Sequence, residues 1–326
     1  MFVLGIDAGG TKTVCQLADV TGRIVAESRG PGANLQAAGE LDVEKTLHRL
    51  MDEVLGDTPV DESHGGNAAR LGAICVGMAG VDRPGDAETV RGIMRRIGQS
   101  ARVLIVNDAL VALEAGAPAA PGVVIIAGTG SIAYGRNARN QAARAGGWGY
   151  VLGDEGSGYW IGRHALRAVV READRRGPRT LLTPRALAHF GVNRPQDLIH
   201  EIYYGGMRPG AIAALASDVH GAFADGDAVA AGILEIGVRE LVASASSVVT
   251  RLQLEGEPFR FVLAGGIFRA VPWMRDQLTE RLPGVAAHAG ITPLEVEPAE
   301  GAVRLALSLL AGETRVPVYL HGNSLD

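Results

Sequence analysis

The chain has 326 residues, more than one hydrophobic core usually serves, so two domains are expected. A net charge of −5 offers no basic footprint for nucleic acid, and no apolar run reaches the roughly 18 residues of a membrane helix. Cys15 and Cys75 both fall in apolar strand-like runs, which predicts buried free thiols, and no Cys/His metal spacing is present.

The start, Met1-Phe2-Val3-Leu4-Gly5, carries no basic region and leads straight into a strand, which predicts a cytoplasmic protein without a signal peptide. The β-branched, apolar run Val3-Leu4-Gly5-Ile6-Asp7-Ala8 breaks at Gly9-Gly10-Thr11 and resumes through Thr13 as a hairpin partner that turns at Asp19-Val20-Thr21-Gly22. A glycine-rich loop, Gly30-Pro31-Gly32-Ala33-Asn34, follows. Leu47, Leu50, Met51 and Val54 share one face of a helix expected over 43–54. The polar stretch 56–70 reads as a surface loop. A buried strand over 71–80 ends in Gly77-Met78-Ala79-Gly80, and a helix is expected over 87–97. Another strand, Val103-Leu104-Ile105-Val106, ends at Asn107-Asp108 before a helix that begins near Ala109. Strands alternating with helices point to a parallel or mixed α/β sheet.

Gly116-Ala117-Pro118-Ala119-Ala120-Pro121 marks the boundary between halves, and the plan then repeats. Val123-Val124-Ile125-Ile126-Ala127-Gly128-Thr129-Gly130-Ser131 echoes the first hairpin. A helical insertion covers about 158–251, the strand Phe259–Ala264 ends at Gly265-Gly266, and an apolar helix over 301–310 precedes a polar tail.

Glycine at a loop tip lets backbone N–H groups approach anionic oxygens, and threonine adds a hydroxyl, so the two tips read as a pair of phosphate-binding loops. Ordinary hairpin turns are the alternative for either one alone. Neither loop is a Walker or a Rossmann motif, which disfavours both of those classes. Asp108 is placed either to cap the helix that follows or to accept a proton from a substrate hydroxyl at the sheet's C-terminal edge. Asp7 either bonds its own turn or holds Mg²⁺ through water. The cluster from Gly146 to Gly158 has six glycines in thirteen residues, with Trp148 offering an apolar face and Asp154 accepting hydroxyls. Those features suit a sugar; the alternative is that Asp154 and Glu155 favour the positive end of the following helix.

In this order the motifs resemble the actin/sugar-kinase/heat-shock ATPase superfamily. Gly146-Gly147-Trp148-Gly149 and Gly153-Asp154-Glu155-Gly156-Ser157 further resemble the N-acetylglucosamine kinase group of the BadF-type ATPase family, over about residues 3–310. The resemblance implies two ribonuclease H-like α/β domains with a deep cleft between them. These would cover 1–116, rejoined by the C-terminal helix near 301–312, and 117–326. It implies ATP binding by Gly9, Gly10, Thr11, Gly128, Thr129, Gly226, Gly265 and Gly266, with Mg²⁺ positioned by Asp7. It implies sugar binding by Asn34, Asp108, Ser131, Ile132, Gly147, Trp148 and Asp154, with Asp108 catalytic. Ile132 stands where some relatives have asparagine, so a backbone contact would survive there and a side-chain contact would not. The implied activity is ATP-dependent phosphorylation of an amino sugar at O6, N-acetylglucosamine ahead of glucosamine and N-acetylmuramic acid, in a homodimer without nucleic-acid or membrane partners. An activator ATPase that shares an iron–sulfur cluster needs more cysteines than this chain has. An ATP-switched regulator without turnover is the alternative outside enzymes.

Overall fold

A computed structural model describes residues 1–35, 39–56, 71–81 and 84–320. Most of the surface loop expected at 56–70 lies outside the described residues. The chain divides into two compact units, one formed by 1–124, 134–143 and 292–326 and the other by 125–133 and 144–291.

In the first unit, β1 (Phe2–Ala8), β2 (Lys12–Asp19), β3 (Ile24–Pro31), β4 (Leu71–Met78) and β5 (Arg102–Asn107) form one sheet in the order β3-β2-β1-β4-β5. β1 runs antiparallel to β2 and parallel to β4, and β4 runs parallel to β5. The helices of this part are α1 (Glu40–Gly56), α2 (Pro84–Arg96) and α3 (Asp108–Gly116). Successive residues of a strand face opposite sides of the sheet. Leu4 and Ile6 accordingly pack into a core with Leu47, Leu50 and Met51 of α1 and Ile93 and Met94 of α2. Both cysteines are free and buried in this unit.

The C-terminal helix Ala299–Ala311 belongs to the same unit and packs against β1, β4 and α3. Its approach to α3 depends on Gly301, where a Cβ would lie 2.0 Å from the Val111 carbonyl oxygen and 2.7 Å from the Ala115 nitrogen. Both are backbone atoms, so no rotamer change relieves the clash. Gly301→Ala is expected to destabilise the fold by about 1–3 kcal/mol, in the range of overpacked cores, as read by urea unfolding.

The second sheet comprises β6 (Gly122–Ala127), β7 (Ser131–Arg136), β8 (Gln141–Gly146), β9 (Arg260–Ala264), β10 (Gly290–Pro293) and β11 (Val318–Tyr319), in the order β10-β9-β6-β7-β8-β11. Helices α4 (Gly158–Ala173), α5 (Leu182–Phe190), α6 (Leu198–Tyr204), α7 (Pro209–Ala214), α8 (Ala216–Ala224) and α9 (Ala228–Leu252) fill the expected insertion. Along α9, Ile233, Leu234, Gly237, Val238, Leu241, Ala245 and Val248 recur at helical spacing and are buried. Among the described residues no helix is long and apolar enough to cross a membrane.

Candidate active site

In the first unit β1 carries Asp7 to its C-terminal edge and stops at Gly9-Gly10-Thr11. The turn is closed by the Gly9 N–H donating to the Lys12 carbonyl at 3.0 Å, which leaves Gly10 and Thr11 exposed at the tip. The Ala33 N–H donates to the Gly9 carbonyl at 3.2 Å, which ties the loop of Asn34 to this tip. Lys12 pairs with Glu297 at 2.7 Å, and Arg29 reaches the same carboxylate at 2.9 Å. The Lys12–Glu297 pair beside the loop was not foreseen from sequence. Its partners are 285 residues apart, and nothing local signals it.

Asp108 is brought to the same edge. Asp7 is in register with Gly77 on β4, and Gly77 with Val106 on β5, so the strand end at Asn107 delivers Asp108 just beyond that row. α3 lies directly against β4 because residue 77 is glycine, where a Cβ would meet Val111 Cγ2 at 2.2 Å. Of the two readings of Asp108, the cap of α3 decides against the helix-capping one. Asn107 is the N-cap, its Oδ1 accepting from the Ala109 N–H at 2.7 Å, and Asp108 is already the first helical residue. Asparagine and aspartate cap equally well, so sequence alone does not separate them. Asn107→Ala is expected to cost about 1 kcal/mol of stability, measured by thermal unfolding, and to slow turnover because the first turn of α3 then frays.

Burial first, and then the nearby Asp108 carboxylate, push the Asp7 carboxyl up to about 8, against the opposing charge of Lys12. Buried Asp7 and partly buried Asp108 thus place two interacting carboxyl groups at one sheet edge, whose negative charge when ionised a divalent cation would balance. Among the described residues no group of three or more His, Cys, Asp or Glu side chains forms a metal cage. The donor set therefore fits Mg²⁺, which takes one or two carboxylates and completes its shell with water and phosphate oxygens.

In the second unit, Gly128, Thr129 and Gly130 form the turn between β6 and β7, with the Gly128 N–H donating to the Gly130 carbonyl at 2.9 Å. The first N–H groups of α4 hold this turn from outside: Gly158 donates to the Gly128 carbonyl at 2.8 Å and Tyr159 to the Thr129 carbonyl at 3.3 Å. Ser157, not Asp154 or Glu155, caps α4, and its hydroxyl accepts from the Trp160 N–H. Asp154 sits with φ +61° and is buried, with the backbone N–H groups of Ser131 and Gly149 near its carboxylate. Burial raises its pKa while those two donors oppose the rise. The Ser131 hydroxyl donates to the Glu155 carbonyl at 2.8 Å, and the Gly147 N–H to the Ser131 carbonyl at 2.9 Å. Ser131, Ile132, Gly147, Trp148 and Asp154 thus form one assembly around the Thr129 turn. Gly265 joins it at the end of β9. Its φ of +109° and a Cβ position 2.2 Å from the Ala127 carbonyl oxygen admit no side chain. Gly226 stands in a separate turn between α8 and α9, also at positive φ.

Two open α/β sheets, each leading into a glycine-threonine turn, define a two-domain ATPase fold of the actin-like, hexokinase-like class. Residues 4–306 match the BadF/BadG/BcrA/BcrD ATPase family, and the chain belongs to it. It is 34% identical over 308 residues to the N-acetylmuramic acid/N-acetylglucosamine kinase of Clostridium acetobutylicum, covering 94% of this chain and 98% of that one. It is also 34% identical over 312 residues to the N-acetyl-D-glucosamine kinase of Dictyostelium discoideum, covering 94% and 97%. Among solved structures, one from Chromobacterium violaceum provisionally named an N-acetylglucosamine kinase shares the fold with a TM-score of 0.73 at 24% identity, covering 94% of this chain and 98% of that one.

Proposed function

We propose that the chain is an ATP-dependent kinase that phosphorylates the 6-hydroxyl of an amino sugar, N-acetylglucosamine first among the candidates. The observation that carries this reading is the placement of Asp108. Capping of α3 falls to Asn107, and Asp108, the first residue of the helix, lies just beyond the sheet edge, close enough to buried Asp7 for its charge to raise the Asp7 pKa. The kinase names of two relatives aligned over 94% of the chain support the same reading. Burial of both cysteines speaks against an activator ATPase, which would need thiolates at an accessible cluster site.

In the proposed reaction O6 of the sugar bonds to the γ-phosphorus as the bond to the β,γ-bridging oxygen breaks, giving ADP and the sugar 6-phosphate. Asp108 orients the hydroxyl and takes its proton late. Transfer through a loose transition state depends mostly on positioning and charge neutralisation. Gly9, Gly10, Thr11, Gly128 and Thr129 supply N–H and hydroxyl donors to the phosphates, while Gly265, Gly266 and Gly226 approach the nucleoside. Asp7 would hold Mg²⁺ through water, and the ion when bound supplies positive charge against the phosphate oxygens. Asn34, Ser131, Ile132, Gly147, Trp148 and Asp154 bind the sugar. N-acetylmuramic acid and glucosamine are the next candidates, the former because one relative is named for it.

The test is the position of the phosphate in the product. Proton–phosphorus correlation NMR is expected to place it on C6, and the 6-deoxy sugar is expected to be no substrate. A phosphate on C1, or transfer to the 6-deoxy sugar, contradicts the proposal.

A further inference from the structure

We propose that Arg144 is a positioning residue for sugar recognition. Its guanidinium holds the Gly147 carbonyl and one face of Trp148, which leaves the other face of the indole to pack on a sugar ring. The inference rests on the kinase reading above and adds to it a residue that the sugar-site motif does not contain.

The loop that carries Trp148 has little conformational preference of its own. Gly146, Gly147 and Gly149 all sit at positive φ, between 70° and 82°, where glycine is nearly free to move elsewhere. Such a loop keeps one shape only if its polar groups are held from outside. The Gly147 N–H is held by the Ser131 carbonyl at 2.9 Å, and its carbonyl accepts from Arg144 Nη1 at 3.3 Å. Ile132 closes the remaining side, its Cδ1 lying 2.8 Å from where a Cβ on residue 147 would stand.

Arg144 is suited to this work because it is itself fixed. It lies near the end of β8 and is 6% exposed, and its own carbonyl accepts from Arg251 Nη1 of α9 at 3.4 Å. Its guanidinium carbon stands 5.0 Å from the centroid of the Trp148 ring, within reach of a cation–π attraction. Trp148 nevertheless remains 55% exposed, an unusual state for a tryptophan that a charged group holds in place. A ring fixed on one side and open on the other is a preorganised platform for the apolar face of a pyranose. Preorganisation lowers the entropy lost on binding and so acts on sugar affinity, whereas the nucleotide-binding residues are untouched.

The experiment compares wild type, Arg144→Met and Arg144→Lys in steady-state kinetics, with the sugar and ATP varied separately. Methionine keeps the apolar stem and removes the charge and the donor. It is expected to raise the sugar KM about tenfold, with the ATP KM within about twofold and kcat within about threefold. Lysine keeps a cation near the ring without the planar fork, so its sugar KM is expected to fall between the two. If both variants keep the wild-type sugar KM, or if both KM values and kcat worsen together as in general loosening, Arg144 does not position the sugar loop. If the wild type turns over no amino sugar, the kinase reading itself fails, a result distinct from failure at Arg144 alone.

Discussion

Replacing Asp108 by asparagine is expected to lower sugar-dependent turnover by about 10²–10⁴-fold, the usual contribution of a general base, while ATP binding persists. Asparagine has nearly the same shape, and the α3 cap rests on Asn107, so the variant should keep the helix and its packing on β4. The loss should therefore appear in kcat, measured by ADP release, and not in the nucleotide Kd, measured by calorimetry. One side effect is predictable in sign. The Asp108 charge is the second-largest cause of the high Asp7 pKa, so Asp7 should ionise at lower pH in this variant. A parallel loss of ATP binding and melting temperature would mean that Asp108 serves the fold.

The second large effect concerns Asp7→Asn, which should abolish turnover yet stabilise the ligand-free protein. An unfolded Asp7 ionises near 3.8, whereas the folded group holds its proton to about 8. Between those values the folded state binds the extra proton, so the stability available below pH 3.8 is progressively lost as pH rises toward 8. At 1.36 kcal/mol per unit the full penalty is on the order of 6 kcal/mol as an upper figure, and asparagine does not incur it. In chelator and without nucleotide, the variant should melt several degrees above wild type at pH 8 and near it at pH 4. A difference that does not change with pH would show that Asp7 is not held neutral in the folded chain.

The fold was legible because its elements carry local signals. The spacing of Leu47, Leu50, Met51 and Val54 matches the buried face of α1, which also includes Val43 and Thr46. The two glycine-threonine breaks fall at the turns after β1 and β6. The places of Asp108, at a strand end, and of Trp148, in a glycine-rich loop, were also legible from the strand and turn signals around them. What escaped was decided by a single residue or by distance along the chain. The cap of α3 turned on whether the helix begins at Asp108 or Ala109, where two adjacent residues cap equally well. The electrostatic setting of Asp154 includes N–H groups of Ser131, across a turn, and of Gly149, inside a loop whose shape glycine leaves open. Lys12 and Glu297 meet only because the segment before the C-terminal helix returns to the first sheet.

The most direct test of the proposed activity is ADP release from MgATP by the wild-type protein, with N-acetylglucosamine, glucosamine, N-acetylmuramic acid and glucose offered in turn. Release stimulated well above background by at least one amino sugar, strongest with N-acetylglucosamine, is the predicted result. ATP binding without stimulation by any of the four would contradict the kinase reading and leave a nucleotide-switched binding protein as the better account.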